Sequence, residues 1–388
     1  MWIPRHFEKL LRESVVTRPV VVLTGPRQTG KTSLVRRLFP DHAYVSLDLP
    51  SEAAQAENDP TSFLARHKGD LVIDEVQYAP ALFRHLKTVV DRTRERSGQF
   101  ILTGSQPFQL MRGVSESLAG RAEILHLDGL SLAELRDAGQ DLSVEAFALR
   151  GGFPELHERP DLDPIRFHRS YVATYLERDL RLHLQVGNLR DFERFLRACS
   201  LRTSQLVNRA ELARDVGISP TTAGQWLSAL EHSGIITLLE PWFSNASRSL
   251  VKTPKLHFND SGLCAFLMGM QSMDDLHTSP LAGALWETTV FTEIRKQLAL
   301  TGAWQLAYWR DRTKEADFLF HRAGHFRIAD AKWSENPTTS GKLRLVRKEI
   351  PGDPPTALIA RPANPYPLPN GTRILPLEEI PAFLESKA

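Results

Sequence analysis

The residues best able to do chemistry lie in one short run. Gly25-Pro26-Arg27-Gln28-Thr29-Gly30-Lys31-Thr32 fits the pattern G-x-x-x-x-G-K-[ST]. Glycines there let backbone N–H groups turn toward phosphate oxygens, an approach that a Cβ would obstruct. The helix expected to follow presents its N-terminal dipole to the same anion. Lys31 is expected to reach the β- and γ-phosphates, and the Thr32 hydroxyl to ligate Mg²⁺. ATP and Mg²⁺ are therefore the expected ligands, with all eight residues forming the cradle. A second run, Leu71-Val72-Ile73-Asp74-Glu75, is apolar and ends in two carboxylates. It reads as a central strand whose C-terminal end meets the ligand. Asp74 would hold Mg²⁺ through water, and Glu75 would orient or deprotonate the attacking water. The fourth strand of the region ends Leu102-Thr103-Gly104-Ser105-Gln106. Ser105, or else Thr103, is the candidate for touching the γ-phosphate or the water; the other reading is an ordinary strand-to-loop turn. Arg121 fits an arginine finger, in cis or from a neighbouring subunit, or equally a structural salt bridge.

Another constellation lies near the C-terminus. Glu287 falls on an amphipathic helix, Leu281 to Gln297. Strands at Trp304 to Arg310, Glu315 to Phe320 and Phe326 to Lys332 follow. Period-two alternation puts Asp330 and Lys332 on one face. A helix and three strands with Glu287, Asp317 and Asp330-x-Lys332 resemble the core of PD-(D/E)xK restriction-endonuclease-like domains. That resemblance implies that Asp317 and Asp330 share Mg²⁺ with help from Glu287, while Lys332 stabilises charge. Two positions depart from the pattern: Ala316 stands where proline is usual, and Asp330 where Glu is commoner. The alternative is a folded relic that binds DNA or protein without cutting.

Between these two regions, Glu211 to Leu227 looks like a helix-turn-helix. Leu212, Ala213 and Val216 would face inward, Gly217 would permit the turn, and Ser219-Pro220 would start the second helix. Ile235 to Leu239 and Leu250 to Phe258 read as a wing hairpin. On DNA, Thr221, Thr222 and Gln225 would meet the major groove, and Arg248 and Lys252 the phosphates. From Ile165 to Lys255 there are 13 Lys/Arg against 8 Asp/Glu, a local excess of +5 in a chain of net charge +2. That favours nucleic acid as partner; a winged helix used only for packing or protein contact is the other reading.

Several elements must position these groups. Pro19 to Thr24, Ala43 to Leu47, Asp70 to Asp74, Gln99 to Thr103 and Ala122 to Leu127 read as strands. Helices are expected at Ser33 to Phe39 and Ala81 to Glu95. This alternation argues for a parallel-sheet α/β core. Helices are then expected at Ser131 to Asp137 and Ser143 to Leu149, broken by Gly151-Gly152-Phe153-Pro154. A long helical stretch follows from Pro164 to about Ser200. Asp274 to Pro280 reads as a linker, and Ile350 to Asn370 as a proline-rich surface tail before a strand at Arg373 to Leu375.

Chain length, 388 residues, calls for several domains. Two distant cysteines exclude a disulfide framework and argue against structural zinc. The absence of an apolar leader, and of any apolar run long enough to span a bilayer, points to a cytoplasmic protein with no membrane partner.

The combination Ile3-Pro4-Arg5, Gly25 to Thr32, Asp74-Glu75-Val76-Gln77, Leu102-Thr103-Gly104-Ser105 and Ser117-Leu118-Ala119-Gly120-Arg121 resembles the bacterial and archaeal AAA-type ATPases that carry a C-terminal DUF4143 domain. The likeness continues through Gly151 to Glu155, Tyr175 to Asp179 and Lys255 to Asp260. It covers nearly the whole chain and implies fold more than function. The expected architecture is α/β: an AAA-type P-loop core (1–128), a helical lid (129–204), a winged helix-turn-helix (205–258) and a restriction-endonuclease-like α/β domain (259–388). Expected activity is ATP hydrolysis coupled to DNA binding or processing, or else a nucleotide-dependent switch for a protein or DNA partner. An arginine finger acting in trans would require a homo-oligomer.

Overall fold

The computed structural model describes residues 2–67, 69–105, 113–114, 116–176, 189–243, 252–339 and 341–385. The chain divides into two compact units. The first is Met1–Leu130 with Phe153–Glu155 and His232–Gly234. The second is Ser131–Gly152, Leu156–Glu231 and Ile235–Ala388.

The first unit is built on five strands: β1 (Val20–Thr24), β2 (Ala43–Ser46), β3 (Leu71–Asp74), β4 (Phe100–Gly104) and β5 (Ala122–His126). Their order in the sheet is β2-β3-β4-β1-β5, all parallel. Every residue of β1, β3 and β4 is buried. That is why these strands read as continuous apolar runs rather than alternating ones. Register aligns Val20 with Phe100 and Phe100 with Leu71, so β1, β3 and β4 end at one edge. Helices α1 (Phe7–Thr17), α2 (Lys31–Leu38), α3 (Pro50–Asn58), α4 (Pro60–Arg66) and α5 (Leu82–Arg92) accompany the sheet. On α5 the stripe Leu82, Phe83, Leu86 and Val90 is buried. It joins Phe63, Ile73 and Leu102 in one core. Periodicity predicts α2 and α5; α3 and α4 go unseen because their apolar faces are narrow, and α1 goes unseen although it buries Phe7, Leu11 and Val15. Ala56 is the one buried residue of α3, and Pro60 and Phe63 those of α4.

The second unit opens with two short capped helices. Ser131 and Glu134 form a capping box on Leu132–Asp137, and Ser143 caps Val144–Arg150. Gly151 stops the latter at φ 76°. A side chain there would collide with the Asp260 carboxylate, which accepts from the Gly152 and Leu263 N–H groups at 2.7 and 2.8 Å. Of the long helical stretch expected from Pro164 to Ser200, Pro164–Tyr171 and Leu189–Ser200 are helical, with π-helical geometry at Val172–Leu176. Residues 177–188 lie outside the described residues.

Two helices, Arg209–Val216 and Pro220–His232, follow, each with a polar cap. The Asn208 side chain accepts from Ala210 and Glu211, and Ser219 accepts from the Thr222 N–H at 3.0 Å. Gly217 makes the turn at φ 86°. Phe192 and Phe195 meet Trp226 edge-on, at 5.2 and 5.3 Å between ring centroids. A small antiparallel sheet, order β6-β8-β7, combines β6 (Gln205–Leu206), β7 (Ile236–Leu239) and β8 (Lys255–Phe258). Arg248 and Leu250 of the expected wing lie outside the described residues.

Beyond β8 the structure corrects two expectations. The expected linker at Asp274 to Pro280 contains a helix, Met273–Thr278, capped reciprocally by Ser272 and Asp275 and anchored by buried Leu276. The expected surface tail contains β12 (Thr356–Ile359), every residue of which is buried. β12 sits inside a six-stranded sheet, order β13-β14-β12-β11-β10-β9. The other strands are β9 (Gln305–Arg310), β10 (Glu315–Arg322), β11 (His325–Ala331), β13 (Tyr366–Pro367) and β14 (Arg373–Leu375). Pairing is antiparallel among β9, β10 and β11, and parallel from β11 through β12 to β14. The prolines that suggested a surface tail flank β12 rather than interrupt it, so its ladder keeps its donors. The helix Ala282–Thr301 buries Leu285, Trp286, Val290, Phe291 and Ile294.

Candidate functional site

At the shared C-terminal edge of β1, β3 and β4 the expected loop is a tight backbone structure. Gly25 adopts φ 147°, Gln28 φ 62° and Gly30 φ 88°. A Cβ on Gly25 would lie 2.2 Å from the Leu127 carbonyl oxygen, so no other residue fits there. Gly30 is the N-cap of α2 and offers no side-chain cap, leaving the first-turn N–H groups of that helix open to an anion. Arg5 braces the loop from the N-terminal segment, donating to the carbonyls of Thr29 (3.1 Å), Asp128 (2.8 Å) and Gly129 (3.1 Å).

Lys31 is buried and folds back on its own loop. Its ammonium donates to the carbonyls of Gly25 at 2.8 Å and Pro26 at 2.7 Å. Burial pulls its pKa down to about 8, against the opposing pull of Glu75 and Asp74. Asp74 gathers the other polar groups. Its carboxylate accepts from the Thr32 hydroxyl at 3.0 and 3.1 Å, from the Tyr44 hydroxyl at 2.9 Å, and from the Thr103 hydroxyl. Burial and the Asp74 charge push Tyr44 up to about 12, so it stays a donor. Thr32 and Asp74, joined directly, form the all-oxygen set that a Mg²⁺ ion takes together with phosphates and water. The residues present fit that ion.

Glu75 is held differently. It adopts φ 55°, ψ 44°, a left-handed conformation that is strained for a residue with a Cβ. Its Oε2 accepts from the Ser105 hydroxyl at 3.0 Å, the Ser105 N–H at 3.3 Å and the Gln77 amide. The structure thus brings Lys31, Thr32, Asp74, Glu75, Thr103 and Ser105 together at one edge, with Thr103 on Asp74 and Ser105 on Glu75. Tyr44 carries no signal in the sequence; Arg5 and Gln77 lie in runs that carry the family resemblance, but no site role was expected of them.

Arg121 is not at this edge, which removes the cis arginine finger. It immediately precedes β5, and its carbonyl accepts from Val20, the first residue of β1, whereas the phosphate loop follows the last. Its guanidinium pairs with the Asp91 carboxylate at 2.5 and 3.0 Å.

The C-terminal carboxylates also meet, but around a lysine. Lys255, on β8, is 1% exposed. Its Nζ lies 3.1 Å from Glu287 Oε1, 3.1 Å from Asp317 Oδ1 and 2.5 Å from Glu315 Oε1. Burial would lower its pKa, but the Asp317, Glu287 and Glu315 charges overcome burial and hold it well above the ordinary value. Asp330 Oδ1 accepts from the Asp317 N–H, and Asp317 Oδ2 from the Ala331 N–H, each at 3.0 Å. Burial, then the Asp317 charge, pushes both Glu287 and Asp330 up to about 8. Lys332 is exposed. Two of the expected Mg²⁺ ligands, Glu287 and Asp317, are joined in this arrangement by the Lys255 ammonium. Among the described residues no three His, Cys, Asp or Glu side chains are grouped to hold a metal ion. Lys255 was missed as a site residue. Its signal was two ionisable residues, Lys255 and His257, on one face of a four-residue strand.

On the helix Pro220–His232, Thr221 and Gln225 are exposed and Thr222 is half-buried; Lys252 is exposed. Among the described residues no helix is long and apolar enough to cross a membrane.

Comparison with known proteins divides the chain in three. Residues 17–136 match a family model described as an AAA domain. Residues 142–274 and 282–380 match two domains of unknown function, DUF8612 and DUF4143. The uncharacterized protein Rv2008c of Mycobacterium tuberculosis is 34% identical over 341 residues, covering 86% of this chain and 75% of that protein. The uncharacterized protein Mb2031c of Mycobacterium bovis matches to the same extent. Among solved structures, the Walker-type ATPase PABY2304 of Pyrococcus abyssi is 18% identical with a TM-score of 0.47, over 69% of this chain and 96% of that one. The Thermotoga maritima RuvB Holliday junction branch migration motor is 18% identical with a TM-score of 0.32, over 61% and 90%. The chain belongs to the family of the two mycobacterial proteins, with an AAA-type P-loop ATPase domain and a separate DUF4143 domain.

Proposed function

We propose that this member of that family binds Mg²⁺–ATP at the loop Gly25 to Thr32, hydrolyses it, and couples turnover to contact with DNA. The observation that carries the ATP reading is the convergence of Lys31, Thr32, Asp74 and Glu75 on the uncapped N-terminus of α2. In this reading Lys31 exchanges the carbonyls of Gly25 and Pro26 for β- and γ-phosphate oxygens. Thr32 and Asp74 would hold Mg²⁺, which would supply charge neutralisation at the phosphates. Glu75, released from Gln77 and Ser105, accepts a proton from the attacking water. Thr103 and Tyr44 keep Asp74 oriented through their hydroxyl bonds.

The DNA reading rests on the two capped helices and the small sheet β6-β8-β7, which we read as a winged helix. Thr221, Thr222 and Gln225 lie at the N-terminal part of the helix Pro220–His232, with Lys252 just before β8. The C-terminal order of helix, three antiparallel strands, helix and parallel strand supports a restriction-endonuclease-like fold for the DUF4143 domain.

The deciding experiment is ATP hydrolysis with Mg²⁺ at fixed salt, with and without double- or single-stranded DNA, in wild type and Lys31→Ala. Salt is fixed because phosphate contacts are strongly salt-dependent. DNA-stimulated turnover that Lys31→Ala abolishes is the expected result. Turnover indifferent to DNA replaces this reading with a nucleotide switch for a protein partner, and no turnover in the wild type rejects hydrolysis.

A further inference from the structure

The acidic residues of the C-terminal domain look like a metal site until their partner is traced. Lys255 has three N–H donors, and three carboxylates, Glu287, Glu315 and Asp317, lie within 3.1 Å of its nitrogen. The rest of the cluster is tied as well. Glu315 uses Oε2 on Arg310 at 3.0 Å. Asp317 uses Oδ2 on the Ala331 N–H, and Asp330 uses Oδ1 on the Asp317 N–H. These bonds aim Asp317 at the lysine from the far side.

We propose that Lys255 is the resident cation of this cluster, standing between Glu287 and Asp317 where a divalent ion would stand, so that the domain takes up no Mg²⁺ there and cuts no nucleic acid by it. Replacing the lysine with a neutral residue opens the cluster to a divalent ion.

Three features make the lysine a fixed occupant rather than a passing one. First, its backbone is clamped: β8 is the middle strand of its sheet, paired to β6 through Lys255–Leu206 and to β7 through Lys255–Leu239. Second, its ammonium lies over the Tyr308 ring, 5.7 Å from Nζ to the centroid, and the Tyr308 hydroxyl donates to the Thr253 carbonyl two residues before the lysine. Third, the ammonium is shut off from water, the residue being 1% exposed. Mg²⁺ needs near-octahedral oxygens at about 2.0–2.1 Å. Two of its prospective ligands are instead set around an ammonium at hydrogen-bond distance. Lys332, the lysine of the sequence pattern, is exposed and acts on Asp330 by its charge without entering between Glu287 and Asp317. The lysine that does enter comes from a strand that precedes the whole constellation in sequence.

The test uses the full chain without nucleotide and Mn²⁺ as the probe, by calorimetric titration and paramagnetic resonance. Wild type, Lys255→Met, Asp317→Asn and the double variant are compared, with nuclease assays on plasmid and single-stranded DNA in Mn²⁺. The expected result is no Mn²⁺ bound by wild type that Asp317→Asn removes. Lys255→Met should gain one Mn²⁺ site, tighter by about tenfold or more than any wild-type binding, and the double variant should lose it. Neutralising a buried lysine can unfold the domain, so the wild-type titration decides by itself. Wild-type Mn²⁺ binding or Mn²⁺-dependent cleavage abolished by Asp317→Asn overturns the proposal. A folded Lys255→Met that gains no Mn²⁺ site overturns its second half. The result is independent of ATP turnover, which Lys31 and Glu75 govern.

Discussion

Lys31 and Lys255 are both buried lysines beside carboxylates, yet they are neutralised by opposite means. Lys31 rests on two carbonyl dipoles, 2.7 and 2.8 Å away, and is pulled down to about 8 by burial. Lys255 rests on three carboxylates and is held well above its ordinary value. Dipoles are weak partners for a full charge, so an arriving triphosphate displaces them at a gain. Carboxylates are strong partners, and an arriving cation must displace the lysine at a loss. In the function proposed above the first lysine waits for a phosphate; the second already has its partners. An acidic cluster beside a lysine is therefore not evidence of a metal site until the lysine's own geometry is known.

The sharpest way to break this comparison is to give both lysines the same substitution. Lys255→Met should destabilise the protein by about 3–5 kcal/mol, because it strands buried carboxylates. Urea unfolding measures it, and adding Asp317→Asn should recover part of the loss in a double-mutant cycle. Equal stability of the single variant would mean that the cluster does not depend on its lysine.

Lys31→Met should act on ligand binding instead. In wild type a slowly hydrolysed Mg²⁺–ATP analogue at a hundredfold its Kd should raise stability by about 2.7 kcal/mol. Lys31→Met should lose that gain. Its nucleotide-free stability should shift by less than about 1 kcal/mol, since relief of burial offsets two lost carbonyl bonds.

A smaller effect lies in pH. Lys31 faces Glu75, Asp74 and Arg27, and its folded-state value is depressed to about 8 from 10.5. Its share of stability is therefore present above 10.5 and lost as pH falls through about 8. Between pH 7.5 and 10, nucleotide-free wild type should gain about 1–2 kcal/mol on Lys31→Met. Parallel urea curves for the two proteins check this; a constant gap would place Lys31 outside a desolvated pocket.

The smallest effect expected is for Tyr44→Phe. Removing one hydroxyl from Asp74 should weaken Mg²⁺-dependent nucleotide binding by about 1 kcal/mol, roughly fivefold. Binding without Mg²⁺ should be unchanged, and isothermal titration with and without the ion separates the two.

Legibility followed sequence distance. The loop Gly25 to Thr32 and the pair Asp74-Glu75 were readable because strand, turn and helix signals sit within a few residues of the chemistry. Tyr44 was not. It reaches Asp74 only because β2 lies beside β3, and nothing near Tyr44 states that pairing. Thr103 and Ser105 look equivalent along the chain. In the sheet they divide the work, Thr103 on Asp74 and Ser105 on Glu75. At β12 flanking prolines outweigh a short apolar run, and in the helix Met273–Thr278 a polar surface hides a single buried leucine.

By itself the sequence determined what is local: a strand, a glycine turn whose Gly25 and Gly30 accept positive φ, and a helix that starts without a cap. Those follow from backbone sterics, to which the close approach of the Leu127 carbonyl to Gly25 adds a tertiary reason for the glycine. Only the tertiary structure decided which charges meet. Lys255 is separated from Glu287, Glu315 and Asp317 by 32 to 62 residues, and β8 brings it among them. Charge pairing depends on distance and burial after folding, and neither is written in the spacing of residues along the chain.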